Sequence, residues 1–261
     1  MQSFYNKKQG LTTQLIVMQE GLIPNVSVDC VVFGFDFTNL NVLLIERNIV
    51  IDRVSFADMK LPGDLMRLDE DLDDSAARIL KENTGLSNIY LKQFKSFGSP
   101  ERLKKKPRDL EWLRKIDHPE EHVITIAYYS LIDISEKRSS DLILSDNARW
   151  MPIHEISDLV MDHLEILQAA LEHLRVELLN KPIGFELLPD KFTLSQMQKL
   201  YEVILGTTFD KRNFRKKISS MKYLIPLNEK QVGVAHKPAR LYIFSREVYT
   251  KTKKDNFDFS V

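Results

Sequence analysis

Charge is distributed unevenly along this chain of 261 residues, and the unevenness divides the chain into two parts. Over the whole sequence the formal charges cancel, with 37 Lys and Arg against 37 Asp and Glu. Residues 181–261 nevertheless carry 16 basic and 8 acidic side chains, whereas residues 1–180 carry 21 and 29. An acidic part followed by a basic part is typical of two modules with different partners. The length also suffices for two domains.

The acidic part alternates strand patterns with helix patterns. Residues 26–37 are rich in β-branched and aromatic side chains, and Thr38–Asn41 separates them from the apolar run Val42–Ile45, which predicts a hairpin. Helical spacing follows over residues 71–83, with Gly85 placed as the C-terminal stop. Because strands and helices are mixed, the predicted fold class is α/β or α+β, with a mixed sheet between helices.

Three further elements complete this part of the chain. Residues 88–97 and 122–134 are predicted to be strands, and residues 156–178 form one apolar stripe of a long helix. The sequence Asn180-Lys181-Pro182 ends that helix, because the residue before a proline is disfavoured in the helical conformation. We therefore predict an N-terminal extension (1–25), a first domain (26–180) and a second domain (181–261). The segment 180–184 is the expected hinge.

Several functional classes find no support in the sequence. The single cysteine, Cys30, excludes an intramolecular disulfide and is expected to be buried in a strand. The longest apolar stretches fall short of the roughly 18 residues that a membrane span needs, so a cytoplasmic protein without membrane contact is expected. The six histidines show no metal-binding spacing, and no metal or cofactor is expected. Residues 101–121, rich in basic side chains, are predicted to be a solvated surface insertion.

The basic part has the pattern of two short helices followed by a hairpin. Thr193 and Gln196 form a capping box for a first helix with Leu194, Met197, Tyr201, Ile204 and Leu205 inside, and Gly206 closes it. Asp210 caps a second helix, residues 211–221, whose buried side would carry Phe214, Ile218 and Met221. Strand-like residues 223–227 and 240–244 follow, joined by a basic loop. This order predicts a winged helix-turn-helix.

A basic helix and a basic hairpin tip supply the cations that a DNA duplex requires. Arg212, Asn213 and Arg215 could reach base edges, because Arg pairs with guanine and Asn with adenine through two hydrogen bonds each. Lys211, Lys216, Lys217 and Lys237 are expected to contact phosphates. The predicted DNA-binding residues are Lys211, Arg212, Asn213, Arg215, Lys216, Lys217, Ser219, His236, Lys237 and Arg240.

Residues 64–86 resemble the Nudix box, a loop-helix-loop motif written G-x5-E-x7-R-E-U-x-E-E-x-G-U, in which U is aliphatic. The matching residues are Glu70, Arg78, Leu80, Glu82, Gly85 and Leu86. The resemblance implies a Nudix-like fold in which Glu70 and Arg78 tie the loop to the helix. Glu70, Arg78, Glu82 and Gly85 are therefore expected to be structural residues of the box.

Three departures from the box bear on chemistry. Asp64 replaces the first glycine, Ile79 the glutamate after the arginine, and Asn83 the second glutamate of the closing pair. In Nudix hydrolases, the glutamates at the positions of Ile79 and Asn83 help to hold magnesium. An isoleucine offers no oxygen ligand. Glu82 alone cannot place the metal ions that in-line attack on a phosphate requires. We therefore expect that the fold is kept, that hydrolysis is lost, and that the chain is not an enzyme.

A degenerate Nudix domain followed by a winged helix-turn-helix resembles the bacterial Nudix-related transcriptional regulators, over Val26 to Phe244. The resemblance implies a homodimer that binds an operator in double-stranded DNA. It also implies a small-molecule effector, ADP-ribose or a pentose such as arabinose, and most often repression of catabolic or cofactor-synthesis operons. The effector-binding residues expected by analogy with the fold are Asp29, Glu46, Arg47 and Arg67.

Two other functions remain open on the sequence. One is an active Nudix pyrophosphohydrolase acting on ADP-ribose-like substrates, with metal ligands drawn from Asp64, Asp69, Glu70 or Glu82. The other is a protein-interaction module whose basic tail only improves solubility. Magnesium-dependent hydrolysis would favour the first, and failure to bind DNA would favour the second.

Overall fold

The computed structural model describes residues 21–51, 54–103, 109, 122–135, 143–235 and 237–252. The helices and strands are β1 (Leu22–Phe35), β2 (Leu40–Ile51), β3 (Val54–Lys60), β4 (Gly63–Arg67), α1 (Leu72–Thr84), β5 (Lys92–Phe97), β6 (Ile124–Asp133), β7 (Ala148–Pro152), α2 (His163–Asn180), α3 (Leu194–Leu205), α4 (Lys211–Ser219), β8 (Leu224–Lys230), β9 (Arg240–Phe244) and α5 (Arg246–Thr252). Two 3-10 helices, Ile153–Glu155 and Pro182–Leu187, complete the set.

A seven-stranded mixed sheet forms the first domain. Its strands run in the order β3-β2-β1-β6-β5, with β4 paired to β1 and β7 paired to β2. The central pair β1 and β6 is parallel, and the other pairs among the described strands are antiparallel. The predicted hairpin is confirmed, and its turn is fixed by the Asp36 carboxylate, which accepts hydrogen bonds from the backbone N–H groups of Thr38 and Asn39.

Helices cover both faces of this sheet, as the alternation along β1 requires. Val28, Cys30 and Val32 pack in a cluster with the apolar face of α1. The intervening Val31 and Phe33 belong to a second cluster that includes α2 and continues into the second domain. Cys30 is fully buried as expected. The predicted mixed sheet between helices is therefore confirmed.

The second domain is a winged helix. Helices α3 and α4 are joined by a turn that begins at Gly206 in the left-handed conformation, and β8 and β9 form an antiparallel two-stranded wing. The capping box of Thr193 and Gln196 is present, with both of its hydrogen bonds. Leu200 of α3 is buried although it was not among the residues predicted to lie inside, whereas Leu194 and Leu205 are only partly buried.

The second core cluster runs without a break from the sheet to the winged helix. Leu174 and Leu178 of α2 share it with Leu200 of α3 and Phe214 of α4. The segment expected to act as a hinge enters the 3-10 helix at Pro182, where Gly184 is buried and a Cβ added to it would lie 2.8 Å from Leu178. The junction is therefore packed, and its action as a hinge stays a prediction.

Several predicted boundaries were wrong. The long helix begins at His163 rather than residue 156, because Met161 has a φ of 49° that no α-helix can pass through. The strand predicted over 88–97 starts only at Lys92, and Asn88, at the start of the predicted range, also has a positive φ. Helix α4 ends at Ser219 instead of residue 221. Strand β1 begins at Leu22, where it pairs with Arg67 of β4, so the predicted extension 1–25 includes the start of the sheet.

The prediction for residues 101–121 was wrong at the positions that the structure describes as buried. Arg102 is 3% exposed and forms an ion pair with Asp162, and Leu103 is also buried. Asp109 is buried and accepts a hydrogen bond from the backbone N–H of Met161. Residues 104–108 and 110–121 lie outside the described part of the chain. Among the helices described, none is long and apolar enough to cross a bilayer.

Candidate functional site

Helix α4 presents one charged face and one apolar face. Asp210 caps it by accepting a hydrogen bond from the backbone N–H of Asn213 at 2.8 Å. Phe214 and Ile218 are buried one turn apart, and the Phe214 ring meets that of Tyr201 in α3 at 6.3 Å. The exposed side chains of the helix are Lys211, Arg212, Asn213, Arg215, Lys216 and Ser219. The apolar face thus holds the helix so that its cations face outward.

The other predicted DNA-binding residues differ in their surroundings. Lys217 is partly buried on α4, and Lys237 is exposed beside the wing. Arg240 is exposed on β9, and its Nε donates a hydrogen bond to the carbonyl of Leu227. The Ser219 hydroxyl donates to the carbonyl of Arg215. His236 lies outside the described residues. Contact between any of these side chains and DNA remains a prediction.

The Nudix-box residues form one compact ionic cluster. Helix α1 is capped by Asp71 and ends at Gly85 in the left-handed conformation. At the entrance to the helix, Arg78 binds Glu70 through Nε and also through Nη2, the latter 2.9 Å from Oε2. The hydrogen bond from Arg78 lowers the pKa of Glu70, and the Glu70 carboxylate in turn raises the pKa of Arg78. Both residues therefore stay charged and hold the loop to the helix.

Glu82 and Arg67 complete this cluster. Arg78 Nη1 lies 3.0 Å from Glu82 Oε2, and Arg67 Nη2 lies 3.1 Å from Glu82 Oε1. Arg67 Nη1 also lies 3.9 Å from Glu70 Oε1. Arg67 was predicted as an effector residue, and the structure places it within the box instead of beside the other three.

Of those three, Asp29 and Arg47 lie close to the same lysine. Burial lowers the pKa of Lys60. The charge of Asp29 raises this pKa, and the charge of Arg47 lowers it. Arg47 pairs with Asp58 at 3.2 Å and with Asp109 at 3.7 Å. Glu46 precedes Arg47 on β2, so it projects to the opposite face of the sheet, where it pairs with Arg149. The four predicted residues therefore do not line one surface together.

Two family models match this chain. The NUDIX domain model matches residues 23–170, which is more than half of the chain. The chain belongs to the NUDIX family. The model of the NrtR DNA-binding winged helix domain matches residues 184–244. This NUDIX protein therefore joins its sheet domain to a DNA-binding winged helix domain, as the sequence resemblance indicated.

Individual relatives are similar over most of their length. The "ADPR responsive transcriptional repressor NtrR" of Acinetobacter baylyi is 28% identical over 230 residues, which are 87% of this chain and 84% of that protein. The crystal structure of Shewanella oneidensis NrtR is 25% identical, with a TM-score of 0.64 over 85% of this chain and 94% of that one. The structure of the same protein with a 27mer DNA, at 24% identity, has a TM-score of 0.65 over 89% and 97% of the two chains. The second of these structures bears on the fold alone.

Sequence reasoning missed a buried polar cluster beside Asp29. His163, the first residue of α2, accepts a hydrogen bond at Nδ1 from the backbone N–H of Leu61 at 2.9 Å, and its Nε2 lies 3.7 Å from Asp29 Oδ1. Burial lowers the pKa of His163 to about 3 and raises the pKa of Asp29. The cluster ties the loop before the Nudix box to α2. No local motif could have indicated it, because its members are about a hundred residues apart in sequence.

A second missed cluster joins α2 to the sheet just before the junction. The Glu177 carboxylate, 7% exposed, accepts hydrogen bonds from Lys92 Nζ at 2.8 Å, from Lys181 and from the hydroxyl of Tyr129. Burial opposes ionisation of Glu177, but these three donors outweigh it and lower its pKa to about 2. Lys181 directly precedes the 3-10 helix that leads to the winged helix. The cluster therefore fixes the end of α2 at the boundary of the two domains.

Proposed function

We propose that this NUDIX protein is a transcriptional repressor that binds an operator through its winged helix and responds to ADP-ribose bound by its NUDIX domain. The observation that carries the proposal is the exposed cationic face of α4, held in place by buried Phe214 and Ile218. The buried side of α4 packs into the same continuous core as the NUDIX sheet. We propose that the two domains meet between residues 180 and 181, and that the first domain includes β1 from Leu22.

DNA binding follows from the chemistry of α4 and the wing. Arg212, Asn213 and Arg215 are exposed together on the helix, and these are residue types that read base edges in a major groove. Lys211, Lys216 and the cations of the wing would neutralise phosphates and so provide most of the affinity. A second copy of the chain would place its recognition helix one helical turn of DNA away, about 34–36 Å. We therefore propose a homodimer on a near-palindromic operator.

ADP-ribose is the effector that the charges favour. Its diphosphate needs cationic partners, and Arg67, which is 45% exposed beside Arg78 in the Nudix box, supplies one on the NUDIX domain. The Acinetobacter baylyi relative is named as responsive to ADPR. A pentose has no charge for these side chains to meet, so control of a sugar-catabolic operon finds no support in these contacts. We therefore propose that the protein is a cytoplasmic repressor of a cofactor-related operon.

A route from effector to DNA runs through α2. His163 at its start binds the loop before the Nudix box, and Leu178 near its end packs in the same cluster as Leu200 of α3 and Phe214 of α4. An effector acts by preferring one of two arrangements of the molecule. A ligand that moves the box loop would therefore shift α2, and with it the winged helix.

The test measures fluorescence anisotropy of the intact chain on labelled DNA from upstream of its own gene. We expect saturable binding that ADP-ribose weakens and arabinose leaves unchanged. Reversal of charge in the double variant Arg212→Glu/Arg215→Glu should reduce affinity more than a hundredfold. The matched control Lys81→Glu/Lys95→Glu makes the same charge change at exposed sites on the NUDIX domain and should retain binding.

Three results would contradict the proposal. Equal loss in both double variants would mean that net charge, rather than α4, carries the affinity. Weakening of DNA binding by arabinose but not by ADP-ribose would show that the effector is a pentose instead. Magnesium-dependent release of nucleoside monophosphate from ADP-ribose, lost in Glu82→Ala, would indicate an enzyme.

A further inference from the structure

The residues of this Nudix box do not fit the divalent cations that its family resemblance implies. A hard cation needs several oxygen ligands, preferably anionic. Position 79 carries an isoleucine that is fully buried in the apolar cluster between α1 and the sheet, and position 83 carries a neutral asparagine. Within the described ranges, no three His, Cys, Asp or Glu side chains group as a metal site would require.

The two carboxylates that remain are already engaged by guanidinium groups. Glu70 is bound by Arg78, and Glu82 is bridged by Arg78 at 3.0 Å and Arg67 at 3.1 Å. Two negative charges thus face two positive charges, so the cluster is neutral without a metal. A divalent cation approaching Glu82 would meet both guanidinium groups, and their repulsion of the cation opposes the attraction of the Glu82 carboxylate.

We infer that the guanidinium of Arg67 occupies the role of the divalent cation in this box, and that the chain binds its anionic effector without metal. Arg67 contacts Glu70 and Glu82 through its two terminal nitrogens, yet its side chain remains 45% exposed. A guanidinium carries five N–H donors in a planar fork that suits phosphate oxygens. Arg67 can therefore stay in the cluster and also donate to a diphosphate. This second half of the inference rests on the proposed function.

Binding of Mn²⁺ tests the first half without any effector. Electron paramagnetic resonance of free Mn²⁺ is recorded for the wild type, Asn83→Glu, Arg67→Gln and the double variant Arg67→Gln/Asn83→Glu. Asn83→Glu restores the closing pair of glutamates next to Glu82. We expect the double variant to bind Mn²⁺ at least tenfold more tightly than Asn83→Glu, because Arg67 still neutralises Glu82 in the latter.

Two outcomes would overturn the role of Arg67. Equal Mn²⁺ affinity of Asn83→Glu and the double variant would show that Arg67 does not compete with the cation. A second measurement compares the wild type with Glu82→Gln. Submillimolar Mn²⁺ binding by the wild type, lost in Glu82→Gln, would show that the box holds a metal despite Arg67.

Thermal denaturation with ADP-ribose tests the second half. The midpoint shift is measured in EDTA and in Mg²⁺, for the wild type, Arg67→Gln and Arg246→Gln. The last is a matched control, because Arg246 also pairs with an exposed glutamate, Glu186, but lies in α5. We expect equal shifts in EDTA and Mg²⁺, at least halved by Arg67→Gln and unchanged by Arg246→Gln.

The outcomes separate this inference from the proposed function. A shift that requires Mg²⁺ would overturn the metal-free effector site. Equal loss in Arg67→Gln and Arg246→Gln would overturn the contact between Arg67 and the effector. Absence of any shift in the wild type would refute ADP-ribose as the effector, whereas the Mn²⁺ titration would still decide what Arg67 does in the box.

Discussion

Replacement of Glu177 by glutamine should destabilise the protein more than any single change of an exposed charge on the same helix. The carboxylate of Glu177 is 7% exposed and accepts three hydrogen bonds, from Lys92, Lys181 and Tyr129. Glutamine has nearly the same shape, but it lacks the charge and has one acceptor oxygen instead of two. The variant therefore removes electrostatic attraction and leaves one donor without an equivalent partner.

The expected magnitude follows from the exposure of the three donors. Lys92 and Lys181 are 36% and 52% exposed, so each ion pair contributes only about 0–1 kcal/mol. The bond from the buried Tyr129 hydroxyl to a charged acceptor contributes about 1.5–3 kcal/mol. Because glutamine keeps part of that bond, Glu177→Gln should lower the free energy of unfolding by about 2–3 kcal/mol. For a chain of this length the Tm should fall by roughly 5–10 °C.

The pH dependence has a definite sign. The pKa of Glu177 is lowered to about 2 in the folded protein, from an ordinary value of 4.5. A lowered pKa contributes stability that is complete above the ordinary value and is lost as the pH falls toward the folded value. The difference between wild type and Glu177→Gln should therefore be complete at pH 8, where the neighbouring His173 is neutral, and should narrow below pH 4.5.

Urea denaturation followed by circular dichroism at several pH values measures this difference. The control is Glu172→Gln on the same helix, where the carboxylate is 66% exposed and pairs with Arg175 at the helix surface. That variant should lose less than about 0.5 kcal/mol. Equal losses in the two variants, or a difference that does not narrow in acid, would refute the assignment of Glu177 as the ionised centre of this cluster.

Two further predictions concern α4 and α2. Phe214→Ala removes a fully buried ring beneath the cationic face of α4, so it should cost about 3–5 kcal/mol in urea denaturation and abolish DNA binding at temperatures where the NUDIX domain remains folded; a stable variant that still binds DNA would show that the ring does not position the helix. His163, with a pKa lowered by burial to about 3, should stay neutral from pH 5 to 8 and keep Nδ1 as the acceptor for Leu61, as nuclear magnetic resonance of its ring can show. Since the unfolded ring titrates near pH 6.5, His163 should also make the protein less stable as the pH falls below that value, and a ring that titrates near pH 6 would contradict its burial.

The fold was largely readable from local patterns because each element satisfies a rule of its own sequence. The alternation of β1, the capping box of α3 and the stop at Gly85 depend on residues within a few positions of one another. The wrong boundaries of the long helix and of β5 also arose from reliance on local patterns. Met161 and Asn88 interrupt good helix and strand patterns because both have a positive φ, which the apolar periodicity does not predict.

The candidate site was likewise predictable from the sequence in part only. The order of residues determined that α4 would be basic outside and apolar inside, and that Ile79 and Asn83 would replace acidic residues of the box, because helix periodicity and motif spacing are properties of the chain alone. Only the tertiary structure decided that Arg67 would reach Glu82, that Arg102 would be buried against Asp162, and that Glu177 would gather three donors. Apart from Lys181, which is four positions from Glu177, these contacts join residues fifteen to eighty-five positions apart. Their energy depends on burial and distance, which arise when the sheet brings its helices together.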